Sequence, residues 1–204
     1  TKSAVSYKNP VVDIAMPDPT VIKATDGYFY VYATESTRNV PIMKSKDLVE
    51  WTYCNTAFTN KTRPRFEPKA GIWAPDINYI NGKYVLYYAM SVWGGEQTCG
   101  IGVATANSPQ GPFTDHGKMF RSNEIGVQNS IDPSLLQYEG RNYLVWGSFR
   151  GIYVIELTAD GLSIMPGAKK KRIAGTAFEA VYIHKHGDYY FMFASIGSCC
   201  QGVK

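Results

Sequence analysis

Met16-Pro17-Asp18-Pro19-Thr20-Val21-Ile22 is followed by the turn Asp26-Gly27 and then by Tyr28-Phe29-Tyr30-Val31-Tyr32-Ala33. An acidic residue, a glycine turn about eight residues on, and an aromatic strand form one unit, and the unit returns three times. Asp76, in Trp73-Ala74-Pro75-Asp76-Ile77, leads to Asn81-Gly82 and Lys83-Tyr84-Val85-Leu86-Tyr87-Tyr88-Ala89. Asp132, in Ser130-Ile131-Asp132-Pro133-Ser134, leads to Glu139-Gly140 and Arg141-Asn142-Tyr143-Leu144-Val145-Trp146. Glu179, in Phe178-Glu179-Ala180-Val181-Tyr182, leads to His186-Gly187 and Asp188-Tyr189-Tyr190-Phe191-Met192-Phe193. The turn glycines Gly27, Gly82, Gly140 and Gly187 are 55, 58 and 47 residues apart. A period near 50 residues built from short strands is the sequence sign of a β-propeller, in which each blade turns the same position toward one central pocket.

Between these units lie further short strands at 40–45, 100–106 and 152–157, each followed by turn residues such as Ser108-Pro109-Gln110-Gly111-Pro112. Each unit therefore reads as a four-stranded antiparallel blade of an all-β fold, and no amphipathic helical period is found. About three and a half blades fit before Lys204. The expectation is a single propeller domain over 1–204, incomplete at its C-terminus. A second segment would close the ring, because an open ring leaves bare sheet edges.

Bulk properties narrow the function classes. A 45% hydrophobic, 19% charged chain of 204 residues can bury one substantial core. The net charge of +4 is mild, and the run Lys169-Lys170-Lys171-Arg172 lies between Pro166-Gly167 and Ala174-Gly175. Such a run is a solvated loop tip without interleaved aromatics, so nucleic acid is not an expected partner. No apolar stretch approaches the ~18 residues of a membrane span. The start Thr1-Lys2-Ser3-Ala4-Val5 has no basic-then-apolar leader, so the sequence does not show an export route. Cys54, Cys99, Cys199 and Cys200 contain no C-x-x-C pair. Cys199-Cys200 are adjacent and stay open between a vicinal disulfide and two thiols. His116, His184 and His186 have no metal-ligand spacing, and no metal is assigned to them.

The acids carry the chemistry. Asp18 stands between two prolines, which restrict the backbone on both sides. Asp-Pro also opens turns, but its return at Asp132-Pro133 in an equivalent unit is harder to assign to a turn alone. Glu179 has apolar neighbours that would desolvate it, raise its carboxyl pKa and suit it to a general acid. Asp76, after Trp73-Ala74-Pro75, is expected to hydrogen-bond loops or substrate more than to do chemistry. Converging carboxylates are what glycoside cleavage uses. Trp73 and Trp93 lie in loops beside the acid-bearing strand and the end of an aromatic strand, and are candidates for a sugar-stacking platform. Trp146, mid-strand, is assigned to the core, and Trp51 to a polar turn packing between blades.

At these residues the chain resembles glycoside hydrolase family 43, the five-bladed propeller arabinanases, arabinofuranosidases and xylosidases. Tyr7-Lys8-Asn9-Pro10-Val11, Met16–Ile22, Gly71–Ile77, Tyr87–Gly95, Ile101–Phe113, Asn129–Leu136, Gly147–Leu157 and Phe178–Ile183 carry the resemblance in the family's order. It implies inversion with Asp18 as general base, Glu179 as general acid and Asp132 as the acid that orients Glu179 and tunes its pKa. An inverting pair stands roughly 6.5–9.5 Å apart to admit the water. The resemblance also places Trp73, Trp93 and Asn129 in the substrate cleft. It implies a plant cell-wall polysaccharide as substrate, α-1,5-L-arabinan cut endo-fashion before all others, and a secreted or periplasmic protein. A central ion such as calcium would take its ligands from the last blade. Arg150 stands where the arabinanase-like pattern carries an aromatic residue, which points toward another sugar.

Three readings compete with arabinan cleavage. One is a β-xylosidase, xylanase or arabinofuranosidase acting on arabinoxylan. Another is a retaining fructan-type hydrolase, which needs Asn-Asp-Pro-Asn, Arg-Asp-Pro and Glu-Cys. The chain has Pro17-Asp18-Pro19-Thr20, Ile131-Asp132-Pro133 and Glu179-Ala180 instead. The third is a non-catalytic carbohydrate-binding propeller, against which the intact set of acids argues.

Overall fold

The computed structural model describes residues 6–198. Cys199 and Cys200, whose pairing the sequence leaves open, lie outside the described residues. Fourteen strands form three four-stranded antiparallel sheets and one two-stranded sheet. The first sheet contains β1 (Thr20–Lys23), β2 (Phe29–Tyr32), β3 (Pro41–Ser45) and β4 (Trp51–Thr56) in that order. The second contains β5 (Gly71–Ile80), β6 (Lys83–Ser91), β7 (Gly100–Ala106) and β8 (Thr114–Arg121). The third contains β9 (Ser134–Tyr138), β10 (Arg141–Trp146), β11 (Ile152–Glu156) and β12 (Lys171–Ala174). The hairpin of β13 (Glu179–His186) and β14 (Tyr189–Ser195) is the last. Up-and-down meanders of this size agree with the blades read from the sequence.

Alternation within β6 shows how the sheets stack. Successive side chains of a strand point to opposite faces. Tyr84, Leu86, Tyr88 and Met90 pack with Tyr30, Tyr32 and Ile42 of the first sheet and with Phe58 just after it. Val85 and Tyr87 pack with Leu144, Trp146 and Ile155 of the third. A strand covered on both faces reads as an unbroken apolar run, as β6 and β7 do. The third sheet in turn packs Val145 and Ile152 against Val181 of the hairpin. The hairpin itself leaves Tyr189, Phe191 and Phe193 exposed.

The register refines the repeat. Thr20 pairs with Tyr32, Asp76 with Tyr87, Ser134 with Val145 and Tyr182 with Phe193; Thr20 and Ser134 open their ladders, and Asp76 and Tyr182 resume theirs after a bulge, so the four hold equivalent places. Two residues before each stands a non-glycine residue with positive φ: Asp18 (49°), Ala74 (40°), Asp132 (57°) and Ala180 (51°). Only Asp18 and Asp132 therefore share one repeat position. Glu179 precedes the kinked residue by one, and Asp76 follows it by two. The acid-to-glycine spacing hid this: Glu179 keeps the eight-residue distance of Asp132 only because Tyr182 stands five residues before Gly187 where Ser134 stands six before Gly140, and Asp76 lies six residues before Gly82.

Asp76 is a link between sheets. It is buried, accepts the Leu135 N–H of β9 at 2.8 Å and the Asn78 side-chain N–H at 2.7 Å, and faces the Thr20 hydroxyl of β1 at 3.4 Å. Ile77 N–H also reaches Thr20 Oγ1, at 3.3 Å. Ser134 continues the series by donating to Val181 O at 2.6 Å. Burial pushes the Asp76 carboxyl up to about 6, against the pull of these donors.

Trp51 opens β4, donates its indole N–H to Leu48 O and, among the described residues, lines an open groove with Pro10, Val12 and Val31. A single helical turn, α1 (Ser122–Ile125), follows β8 and closes on Gly126 at φ 67°. Four residues are too few for a helical period to register in the sequence. Replacing Asp76 by Ala strands the buried Leu135 N–H. The expected loss is about 1–3 kcal/mol of stability, read by denaturant unfolding, with Asp76→Asn milder because one acceptor oxygen remains.

Candidate active site

Asp18, Asp132 and Glu179 come from three different sheets and meet at the inner strand starts. Their nearness shows in the electrostatics: the charges of Glu179 and Asp18 both raise the Asp132 carboxyl, and the charge of Asp18 raises that of Glu179. The left-handed backbone at Asp18 and Asp132 turns each side chain off the strand that follows. Asp tolerates this conformation better than most non-glycine residues, and strain of this kind gathers at functional sites.

Each acid has its own environment. Asp18 is exposed and accepts a 2.5 Å hydrogen bond from the Thr34 hydroxyl. Thr34 Oγ1 also accepts the Ala74 N–H at 2.7 Å, which joins Asp18 to the strand carrying Trp73. Glu179 is half-buried; burial raises its carboxyl most, Ser148 Oγ opposes that by donating at 3.2 Å, and the Asp18 charge adds to the rise. Asp132 is pushed up to about 7, by burial first and then by Glu179 and Asp18, while a hydrogen bond from the Ala180 N–H pulls the other way. Asp132 was expected to raise Glu179. In the free protein the larger shift falls on Asp132 itself, because it is the more enclosed of the two. The charge of Glu179 thus bears on the titration of Asp132.

The aromatic candidates also meet. Trp73 and Trp93 lie 5.5 Å apart between ring centroids, inclined at 51°. Trp73 is half-buried against Ala89, Cys99 and Ile131, whereas Trp93 is 79% exposed. Trp146, 0% exposed, is core as its mid-strand place implied. Asn129 is within the site's framework: its side-chain N–H donates to Ser148 O at 3.0 Å and its backbone N–H to Glu96 O at 2.7 Å.

Sequence reasoning missed Thr34 and Ser148, the hydroxyls that hold Asp18 and Glu179. Each lies two residues past the end of its sheet's second strand, in Ala33-Thr34-Glu35 and Gly147-Ser148-Phe149. That shared place was the available signal. It also missed the buried Arg63–Glu35 pair at 2.8 Å. Glu35 accepts the Ile72 N–H at 2.9 Å and so anchors the strand just before Trp73. Among the described residues no group of three or more His, Cys, Asp or Glu is arranged to hold a metal ion.

Comparison with known proteins places this geometry. Residues 7–204 match the model of the glycosyl hydrolases family 43. The chain is 36% identical over 200 residues to the extracellular endo-α-(1→5)-L-arabinanase 1 of Bacillus subtilis, covering 91% of this chain and 61% of that protein. It is 31% identical over 192 residues to the arabinan endo-1,5-α-L-arabinosidase A of Aspergillus niger, covering 90% and 59%. Among solved structures, the α-L-arabinanase of Cellvibrio cellulosa in complex with arabinohexaose superposes with a TM-score of 0.81 at 28% identity, over 92% of this chain and 67% of that one. The chain thus spans about three-fifths of the length of these curated relatives. With the family pattern matched from Tyr7 onward and a like fold beneath it, the chain belongs to glycosyl hydrolase family 43.

Proposed function

We propose that the protein is an inverting glycosidase of plant cell-wall polysaccharide that cleaves α-1,5-L-arabinan internally. The observation that carries this reading is the convergence of Asp18, Asp132 and Glu179 from separate sheets beside the Trp73–Trp93 pair. The names of the relatives supply the sugar. Asp18, exposed and oriented by Thr34, takes a proton from the attacking water. Glu179, held by Ser148, gives its proton to the departing glycosidic oxygen on the opposite face of the sugar, as inversion requires. Asp132 orients Glu179 and tunes its pKa. Trp73 and Trp93 offer flat faces to the C–H surfaces of the sugar rings, and Asn129 braces the wall between them and Glu179.

The same reading makes the domain a five-bladed propeller, of which three sheets and the β13–β14 hairpin are described here. The exposed aromatic side chains of that hairpin, and Val21 and Tyr53 on the first sheet, are surfaces that a further sheet would cover. A central cation such as calcium belongs to the family picture. Its ligands are expected in a further blade, and no step is routed through it. Secretion fits the extracellular relative, and no helix among the described residues is long and apolar enough to cross a membrane.

Incubating the complete protein with linear α-1,5-arabinan, arabinoxylan and β-1,4-xylan, followed by sugar chromatography, tests the substrate. A ladder of arabino-oligosaccharides from the first alone is expected; free xylose, or no product from any, refutes the reading. Asp18→Asn and Glu179→Gln should each lower kcat by about 10²–10⁴-fold or more with folding intact, since each removes an acid–base group.

Asp132 yields a prediction in which stability and activity part. Its folded value, about 7, is above its ordinary 3.8. The native state therefore holds a proton that the unfolded chain releases, and wild-type stability falls as pH rises from about 4 to about 7. Asp132→Asn removes that slope. The variant should be more stable than wild type by about 1–4 kcal/mol at pH 8, and the gap should shrink toward pH 4, in thermal or urea unfolding. Its hydrolysis should be strongly slowed, and the alkaline limb of its pH–rate profile should move to lower pH, because the pair has lost one of its two charges.

A further inference from the structure

Arg150 is the residue that departs from the family pattern, and its side chain has a defined partner. Its Nε and Nη2 donate to the two carboxylate oxygens of Glu96 at 3.0 and 2.9 Å. Both side chains are accessible, 42% and 31%, and the two residues are 54 positions apart in sequence. The pair therefore spans two sheets: Glu96 lies in the loop between β6 and β7, and Arg150 lies between β10 and β11.

Each end of the span is tied to the site. Glu96 lies three residues after Trp93, in a loop folded on itself by Gly95 N–H to Val92 O (2.9 Å) and Cys99 N–H to Gly95 O (2.9 Å). Its carbonyl accepts the Asn129 N–H, three residues before Asp132. At the other end, Arg150 Nη1 donates to Phe149 O at 3.0 Å, and Phe149 N–H donates to Phe178 O at 2.9 Å, beside Glu179. Ser148, two residues before Arg150, bonds both Glu179 and Asn129. From Glu96 and Arg150 the bonds thus lead to the turn that holds Glu179 and to the loop that carries Trp93.

An exposed ion pair contributes little to global stability, so this one is better explained by what it positions. The guanidinium fork fixes distance and angle together, which a point charge or a stacked ring would not. We propose that Arg150 and Glu96 are positioning residues whose forked ion pair locks the Trp93 loop to the turn that holds Glu179, setting the aromatic platform at a fixed place relative to the acids. The proposal rests on the arabinan-cleaving reading for its kinetic consequence, and on geometry alone for the lock itself.

The test uses Arg150→Met, Glu96→Gln and the exchanged pair Glu96→Arg with Arg150→Glu in the complete protein at low salt. Each single change is expected to raise KM for linear α-1,5-arabino-oligosaccharides about fivefold or more while kcat changes less than about threefold, and the exchange to bring KM back to within about twofold. Singles that leave KM unchanged, or an exchange no better than the worse single, overturn the proposal. A second readout needs no turnover. The tryptophan emission of Trp93, isolated as the difference between the protein and its Trp93→Phe variant, should change when Arg150→Met is introduced. It should change in the same direction on adding about 1 M salt, which screens the pair. If wild type fails to cleave arabinan yet this emission shift appears, the substrate reading falls and the lock stands. If arabinan is cleaved and the emission is unmoved, the lock falls alone.

Discussion

The geometry of this protein depends on a line of hydrogen bonds through the inner strands. Thr20, Asp76 and Ser134 occupy one repeat position, and each reaches the next sheet: Thr20 to Asp76 and Ile77, Asp76 to Leu135, Ser134 to Val181. Apolar side chains hold the sheets face to face, but burial is non-directional and would allow one sheet to slide on another. The inner polar bonds remove that freedom. A buried carboxylate is a costly way to make such a link, and the rise of Asp76 to about 6 reflects that cost. Three donors converge on it, which is what makes the burial tolerable.

The acids gain their place from the same line. Asp18 and Asp132 lie two residues before Thr20 and Ser134, at the left-handed residue that precedes each ladder. Fixing the start of the strand fixes the kink, and the kink aims the carboxylate. Hydroxyls from the end of the second strand then complete the hold, Thr34 on Asp18 and Ser148 on Glu179. Precise placement of reacting groups requires such supporting contacts, because a small misplacement is costly in rate.

Much of this was legible in the sequence. The glycine turns at Gly27, Gly82, Gly140 and Gly187 all take positive φ and mark the hairpins. The aromatic run of β6 and the stretch 100–106 of β7 read as strands, although only the structure shows them covered on both faces. The three acids and the Trp73–Trp93 pair were named from repeat position and loop context, and the structure brings them together. The placement of Asp76 was not legible. Counting from acid to glycine does not find the left-handed residue that marks the common position, and Asp76 and Glu179 stand off it in opposite directions. Thr34 and Ser148 were missed for a different reason. A hydroxyl carries no charge or period to mark it, and its role shows only when its strand end is set beside an acid from elsewhere in the chain.

The uneven burial of the three carboxyls follows from their place in the repeat. Asp18 and Asp132 share a backbone position but not an environment: among the described residues Asp132 is the more enclosed and Asp18 is exposed. Identical local geometry thus gives one acid open to water and another pushed up to about 7. A symmetric repeat would have placed like charges in like surroundings and set them against one another. Displacing Glu179 by one residue, next to Ala180 at φ 51°, gives the third acid yet another environment, half-buried and bonded to Ser148. Separation of roles among chemically similar groups comes from such differences in surroundings. Here only Glu179 departs from the repeat position, and Asp18 and Asp132 differ by what surrounds them, so the features that made the fold easy to read are not those that distinguish its acids.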